Sequence, residues 1–192
     1  MNREPAITAG AAREVNIGER LRDLRSRLGL SVRALAAQTD FSPSFISQVE
    51  LGQVSPSIAS LERIVGALGV SLGELFSEAT PGPTAVIRGA DRRRLTSSWS
   101  RAQVESLAPV GAGSKMEPIM LVLAPGGYSG KHAQTRTGEE FAIVFAGEVT
   151  LTLGAEVHVL RPGDAVTFRS DTPHTWENTG PEPARIVIVS SR

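Results

Sequence analysis

The spacing of apolar residues divides the chain into two parts. Between residues 17 and 76 the apolar positions recur every three or four residues, which is the spacing of one face of an α-helix. The first of these faces consists of Ile17, Leu21, Leu24 and Leu28. Helices are expected to end at Gly29, Gly52 and Gly69. The pattern predicts five short amphipathic helices, each of which buries its apolar face against the others.

Small polar residues stand where these helices are expected to begin. A serine at an N-cap accepts a hydrogen bond from a free amide of the first helical turn. The predicted caps are Ser31, Ser42, Ser57 and Ser71. Pro43 then occupies the first position of the third helix, where a missing amide proton costs nothing. The outer side of that helix carries unusually small polar residues, namely Ser44, Ser47 and Gln48.

After the helical part the pattern becomes strand-like. Residues 78–84, EATPGPT, contain Pro and Gly without an apolar period and are predicted to be a linker. Short runs rich in β-branched residues follow, and Gly/Pro turns separate several of them. The expected strands are 85–88, 103–107, 118–124, 141–146, 149–153, 157–160, 165–168, 174–178 and 185–190. This many strands in about a hundred residues predict a β-sandwich or small barrel.

Composition and charge narrow the class of protein. The chain has 192 residues, of which 41% are hydrophobic and 21% charged, and this suits a folded core. It has no cysteine, no apolar run long enough to span a bilayer, and an N-terminus without a secretory pattern, so we expect a cytoplasmic protein. The net charge is zero, which counts against binding to nucleic acid through bulk charge alone.

The helical part resembles a known DNA-binding family. The run GLSVRALAAQTDFSPSFISQVELGQVSPSIASLERIVGALGVSLGEL is similar to the lambda-repressor-like helix-turn-helix domains of the XRE family. The resemblance extends over residues 17–76. It implies a five-helix DNA-binding domain at 16–77. It also implies that Glu50 pairs with Arg25 inside this domain. The residues before the domain, 1–15, are predicted from their own composition to be a flexible lead-in.

In such domains the third helix enters the major groove. The resemblance therefore implies base-edge contacts for Ser42, Ser44, Ser47 and Gln48. Gln48 is the candidate for direct readout, because its amide can both donate to and accept from adenine. Phosphate contacts are implied for Ser31, Arg33, Gln53 and Ser57. One head of this size covers too few base pairs for genomic specificity, so we expect a homodimer on a near-palindromic operator in double-stranded DNA.

The strand-rich part resembles a second family. The runs APGGYSGKHAQTRTGEEFAIVFAGEVTLTL and LRPGDAVTFRSDTPHTWENTG are similar to the two motifs of cupins. The resemblance covers residues 85–192 and implies a cupin sensor domain, a double-stranded β-helix or jelly-roll barrel. The whole chain is therefore expected to be an α domain followed by an all-β domain.

The metal-binding pattern of cupins is incomplete in this sequence. That pattern has two His two residues apart, then a Glu, and later a third His. Glu140 and His174 stand at the last two positions. Counting back from Glu140 without a gap puts Gln134 and Arg136 at the first two positions, whereas one extra residue puts His132 and Gln134 there. In both alignments at least one His is missing.

Three functions stay open at this point. His132, Glu140 and His174 could bind a divalent metal (Fe, Zn, Ni or Mn), as in a cupin-type oxidative enzyme with a helix-turn-helix head. Alternatively, Arg136 points into the barrel in place of a metal and binds a small polar, anionic effector together with Gln134, Glu140 and His174. The second alternative describes a transcriptional regulator, more often a repressor, that is not an enzyme. In a third alternative the barrel serves only to dimerise.

Overall fold

The structure of the protein is a computed structural model that describes residues 13–14, 16–76, 86–108, 114–131, 133 and 135–191. The predicted linker at 78–84 and nearly all of the predicted lead-in lie outside these residues. Among the helices of the described ranges, none is both long enough and apolar enough to cross a membrane.

The amino-terminal part contains the five helices that the apolar spacing predicts. They are α1 (Ile17–Arg27), α2 (Val32–Thr39), α3 (Pro43–Glu50), α4 (Ile58–Ala67) and α5 (Leu72–Phe76). The first four begin at side-chain caps that accept from the amide three residues further on, namely Asn16, Ser31, Ser42 and Ser57. At α5 the cap is reciprocal: Ser71 Oγ accepts from the amide of Glu74, and the Glu74 carboxylate accepts from the amide of Ser71.

Two features hold α1 against α3. Arg25 and Glu50 form a two-pronged ion pair, with Nε–Oε1 at 2.6 Å and Nη2–Oε2 at 2.8 Å, which confirms the predicted pairing. At Gly18 a Cβ atom would lie 2.5 Å from the carbonyl oxygen of Glu50, so only glycine allows this approach. Leu28, predicted to share the apolar face of α1, is 54% exposed because it lies beyond the last turn of the helix.

The second part is a barrel of two sheets. Its strands are β1 (Arg13–Glu14), β2 (Arg93–Ser97), β3 (Ala102–Ser106), β4 (Met116–Leu123), β5 (Glu139–Ala146), β6 (Val149–Leu153), β7 (Glu156–Leu160), β8 (Ala165–Arg169), β9 (His174–Glu177) and β10 (Ala184–Ser191). The larger sheet has the order β1-β2-β3-β4-β10-β5-β8, and the smaller has the order β7-β6-β9. Within these sheets β1 and β2 are parallel, and the other recorded pairs are antiparallel.

The larger sheet has an inner and an outer face, because side chains alternate along each strand. Directly paired residues share a face. One inner row runs across β4, β10, β5 and β8 and consists of Glu117, Ser190, Glu140 and Phe168, all buried. Deeper inner rows are apolar. The buried apolar residues of this face form one continuous core with those of the helices.

The helical domain is docked on the edge of the barrel through α4, α5 and the loop before α4. The amide of Ala59 donates to the carbonyl of Ser129 at 3.1 Å. The amide of Gly73 in α5 donates to the buried carboxylate of Glu117. Ser55 Oγ donates to the carbonyl of Thr96 at 3.3 Å. The two parts of the chain are therefore in direct contact, and the hydrogen bond from Gly73 places α5 at the end of the barrel where the polar inner row lies.

One strand prediction was wrong, and the strand next to it was not predicted. Residues 86–88, part of the predicted strand 85–88, are not in a sheet, and Val86 is 69% exposed. The strand lies further on, at β2, where the sequence shows a run of arginines that resembles a solvated loop. It is a strand because β3 pairs with its residues 94–97, and Arg92, just before it, forms an ion pair with Glu105 at 3.4 Å.

Candidate DNA-binding surface and ligand site

The outer side of α3 is the candidate base-contacting surface. Ser42, Ser44 and Gln48 are exposed and Ser47 is half-buried, whereas Ile46 and Val49 on the opposite side are buried. This division follows from the helical period, which places the apolar residues of α3 toward α1, α2 and the core. The turn before α3 is tight because Asp40 adopts a left-handed conformation with φ 54°. The structure thus presents the predicted contact residues of α3 together.

The four predicted phosphate contacts are not equivalent in the structure. Ser31, Arg33 and Gln53 are exposed. Ser57 is only 4% exposed, because the loop before α4 lies against the barrel and its hydroxyl caps α4 and hydrogen-bonds with Ser60 Oγ. Ser57 is thus much less accessible than the other three residues, and its predicted phosphate contact stays a prediction.

The polar end of the barrel brings together residues of both domains. We call Glu62, Glu117, Arg136, Glu140 and His174 the mouth cluster. Glu62 comes from α4 and Glu117 from β4. Glu140 and His174 lie at the starts of β5 and β9. The backbone amide of Arg136 donates to the carbonyl of Ser170 at 2.7 Å, and this hydrogen bond holds the segment that leads into β5.

Arg136 connects the two domains rather than facing an open barrel. Its Nη1 lies 3.2 Å from Glu62 Oε1, and its Nη2 lies 3.1 Å from Glu117 Oε2. The side chain of Glu117 is 2% exposed and that of Glu62 is 16% exposed. Two carboxylates compensate the charge of Arg136 in this arrangement, and its predicted contact with an anionic effector stays a prediction.

The charges of the mouth cluster shift two pKa values. Burial raises the pKa of the Glu62 carboxyl to about 7, against the lowering effect of Arg136, while Glu140 and Glu117 raise it further. Burial by itself would lower the pKa of Arg136, but the negative charges of Glu62, Glu117 and Glu140 outweigh this effect and raise it. Glu62 can consequently change its charge near neutral pH.

Glu140 and His174 meet inside the barrel, as the cupin motifs imply. His174 Nδ1 donates to the carbonyl oxygen of Thr172 at 3.0 Å, and this hydrogen bond turns Nε2 toward Glu140. Nε2 lies 3.8 Å from Glu140 Oε2, and both side chains are buried. The arrangement suits a proton or a metal ion between the two groups.

A metal site is not complete in the described part of the chain. His132 and Gln134 lie outside the described residues, so their predicted roles stay predictions. Among the described residues, no group of three or more His, Cys, Asp or Glu side chains could bind a metal ion. Glu140 and His174 supply two donors, which is one fewer than the three protein ligands of a facial-triad site.

Sequence analysis missed two members of the mouth cluster. Glu62 lies on α4 between Leu61 and Arg63, where a glutamate is ordinary. Glu117 comes just before the predicted strand 118–124, so in the sequence it resembles an exposed residue at the end of a strand. The only signal was the alternation along β4, which puts Glu117 on the same face as Ile119 and Leu121.

A cavity of about 1160 Å³ lies between the helical domain and the barrel. The outer side of α4 forms one wall, with Glu62 and Arg63 among its residues. Barrel loops that include Trp99, Lys131 and Arg136 form the other. We call this cavity the interdomain cleft. Neither Glu140 nor His174 contributes to its lining, so it is distinct from the barrel interior.

A helix-turn-helix head with an exposed polar α3, docked on a barrel of cupin topology, defines a DNA-binding regulator with a second, β-rich domain. Comparison with known families agrees with this class. Residues 16–78 match the helix-turn-helix domain family and residues 119–190 match the cupin domain family. The chain belongs to the family of HTH-type transcriptional regulators that carry a cupin domain.

Individual relatives span nearly the whole chain. The HTH-type transcriptional regulator PuuR of Escherichia coli is 30% identical over 175 residues, which cover 88% of this chain and 91% of PuuR. A crystal structure of an HTH_3 family transcriptional regulator from Vibrio cholerae superposes with a TM-score of 0.66 at 23% identity, covering 92% of this chain and 95% of that one.

An enzyme shares the fold. The hydroxypropylphosphonic acid epoxidase from S. wedmorenis superposes with a TM-score of 0.50 at 20% identity, covering 95% of this chain and 100% of the epoxidase chain. Similarity at this level concerns the fold alone. The relative that establishes the family is named as a regulator, which favours the regulator over the oxidative enzyme.

Proposed function

We propose that this regulator is a repressor whose barrel binds a small polar effector at the mouth cluster and thereby changes its affinity for operator DNA. The observation that supports this proposal is the position of Arg136, which contacts Glu117 of the barrel and Glu62 of the helical domain. An anionic effector at the mouth would compete with Glu62 for this guanidinium and loosen α4 from the barrel. A coupling free energy of about 1–3 kcal/mol is enough for regulation.

The barrel interior also offers a donor for such a ligand. Trp176 lies on β9 two residues after His174, so both side chains point to the inside. Its indole Nε1–H is buried and has no hydrogen-bond partner among the described residues. A buried donor of this kind is normally satisfied by water or a ligand.

Base readout by α3 is the first part of the proposal to test. Replacing Gln48 or Ser44 with alanine is expected to reduce the preference for operator over random DNA by about 1–3 kcal/mol per bidentate contact, because the side chains reach base edges. The effect should be larger for Gln48, which can make two hydrogen bonds to one base. Competition gel-shift titrations at fixed salt measure both affinities.

Gln103→Ala is the matched control, since Gln103 lies on β3 of the barrel and hydrogen-bonds with Glu105. It should leave the preference unchanged. If Gln48→Ala and Ser44→Ala both keep the full preference, α3 is not the base-contacting helix.

The outer face of the larger sheet is the proposed dimer interface. One head covers only about four or five base pairs, so a second copy is required for specificity. Two uncharged rows cross the outer face. They are Met120–Val187–Ile143–Ala165 and Pro118–Val189–Phe141–Thr167. Charged residues lie beyond these rows, toward the two ends of the strands, with Arg185 on one side and Glu139, paired with Arg169, on the other. If the two outer faces pack against each other about a two-fold axis that is parallel to the sheets and perpendicular to the strands, Arg185 of each copy lies near Glu139 of the other.

Phe141→Asp is therefore expected to convert a dimer into a monomer, because it places a charge in the centre of the apolar face. Phe141 is 42% exposed, so the folded monomer should tolerate the change. Sedimentation velocity over a range of concentrations measures the effect. Val157→Asp on β7 is the control, since Val157 is 64% exposed on the other sheet. A wild-type monomer, free and on DNA, contradicts the proposal.

A further inference from the structure

The interdomain cleft has a composition that differs from that of the barrel interior. Aromatic side chains stand on both of its walls, with Phe41 and Phe45 on the helical side and Trp99 on the barrel side. The rings of Phe41 and Phe45 are tilted by 48° relative to each other, with their centroids 4.8 Å apart. Trp99 is 52% exposed although it is the largest apolar side chain of the cleft. The volume, about 1160 Å³, is sufficient for a metabolite of ordinary size.

Cationic side chains cover these aromatic rings. The ammonium of Lys131 lies 4.8 Å from the ring centre of Trp99, and the guanidinium of Arg63 lies 5.2 Å from that of Phe41. Neither cation forms an ion pair with any described residue. Arg136 also lines the cleft, but Glu62 and Glu117 compensate its charge.

We propose that the interdomain cleft is a ligand site, separate from the barrel interior, for an organic anion that carries a flat apolar group. The flat group packs against Trp99, and the anionic group accepts charge-assisted hydrogen bonds from Lys131. This site goes beyond the effector site proposed at the mouth cluster.

The charges of the cleft favour an anion over a cation. A ligand cation would have to displace Lys131 from the ring of Trp99, and it would be repelled by Arg63. The two acidic residues of the lining are engaged locally, Glu62 with Arg136 and Glu74 with the amide of Ser71. An anion instead pairs with Lys131, whose charge no described acidic residue compensates.

Occupancy of the cleft would also be communicated to the barrel. Glu62 and Arg136 both line the cleft and both belong to the mouth cluster, so this ion pair is the wall shared by the two sites. A ligand that contacts the pair from the cleft acts on α4 and on the barrel at once.

Two probes of similar shape and opposite charge test the proposal, 4-phenylbutyrate and 4-phenylbutylamine. Each is titrated into the full chain while tryptophan emission is recorded. The anion is expected to give a saturable change, and the amine none. The chain has two tryptophans, and Trp176 is buried in the barrel, so Trp99→Phe should abolish the signal.

Lys131→Glu is expected to weaken binding of the anion by about tenfold or more. Lys115→Glu, an exposed lysine outside the cleft, is the matched control and should have no effect. Equal binding of the two probes, equal effects of the two lysine variants, or no saturable binding would each overturn the proposal. Operator binding by the same preparations is measured separately, so a failure of the DNA-binding proposal is distinguishable from a failure of this one.

Discussion

Replacing Arg136 with methionine is expected to lower the free energy of unfolding by about 3–5 kcal/mol. The guanidinium bridges Glu62 and Glu117, whose side chains are 16% and 2% exposed. Without the guanidinium, the two carboxylates remain close together and poorly solvated. Glu117 then keeps only the hydrogen bond from the amide of Gly73 among the described residues. Urea denaturation monitored by circular dichroism measures the loss.

Two further variants separate the loss of charge compensation from the loss of a long side chain. Arg33→Met removes an exposed arginine that forms no ion pair with the described residues, and it should change stability by less than about 0.5 kcal/mol. The triple variant Arg136→Met, Glu62→Gln, Glu117→Gln removes the uncompensated charges and should recover much of the loss. If Arg136→Met is as stable as the wild type, the ion pairs contribute nothing to the docking.

Glu62→Gln is expected to remove a pH dependence of stability between about pH 4.5 and 7. The folded-state pKa of Glu62 is raised from 4.5 to about 7, so the folded protein holds this proton more tightly than the unfolded chain does. The corresponding contribution to stability is complete below pH 4.5 and is lost as the pH rises through about 7. The rise in the pKa of Glu62 corresponds to at most about 3 kcal/mol of folding stability, and solvent screening reduces this value.

The measurement is the difference in unfolding free energy between Glu62→Gln and the wild type at a series of pH values. This difference should move in favour of the variant as the pH rises from 4.5 to 8, because only the wild type loses the protonated form. Glu182→Gln, which changes an exposed loop residue, provides the baseline. A difference that does not vary with pH would show that Glu62 does not titrate in this range.

The helical domain could be predicted almost residue by residue, because its determinants are local. A cap bonds to an amide three residues away, and an apolar face repeats every three or four residues, so both are visible in a short window of sequence. The Arg25–Glu50 pair is a longer-range contact. The spacing of residues does not predict it, and the prediction came from the resemblance to the XRE family.

The mouth cluster could be predicted only in part. The cupin motifs place Glu140 and His174 correctly inside the barrel, because both lie on strands whose alternation fixes their direction. Glu62 and Arg136 are 74 residues apart and belong to different domains. The spacing of apolar residues in α4 does not indicate which of its outward-facing positions a second domain will cover. The pairing of Arg136 with Glu62 and the burial of Ser57 result from the docking of the two domains, which a short window of sequence does not show.

The docking uses α4, α5 and main-chain groups such as the amide of Ala59, while Ser44 and Gln48 on α3 face away from the buried side of their helix. Substitutions at these two positions consequently leave the attachment of the head intact. Under the proposed base readout, a new target sequence requires changes at these two positions of α3 and no change in the contacts that α4 and α5 make with the barrel.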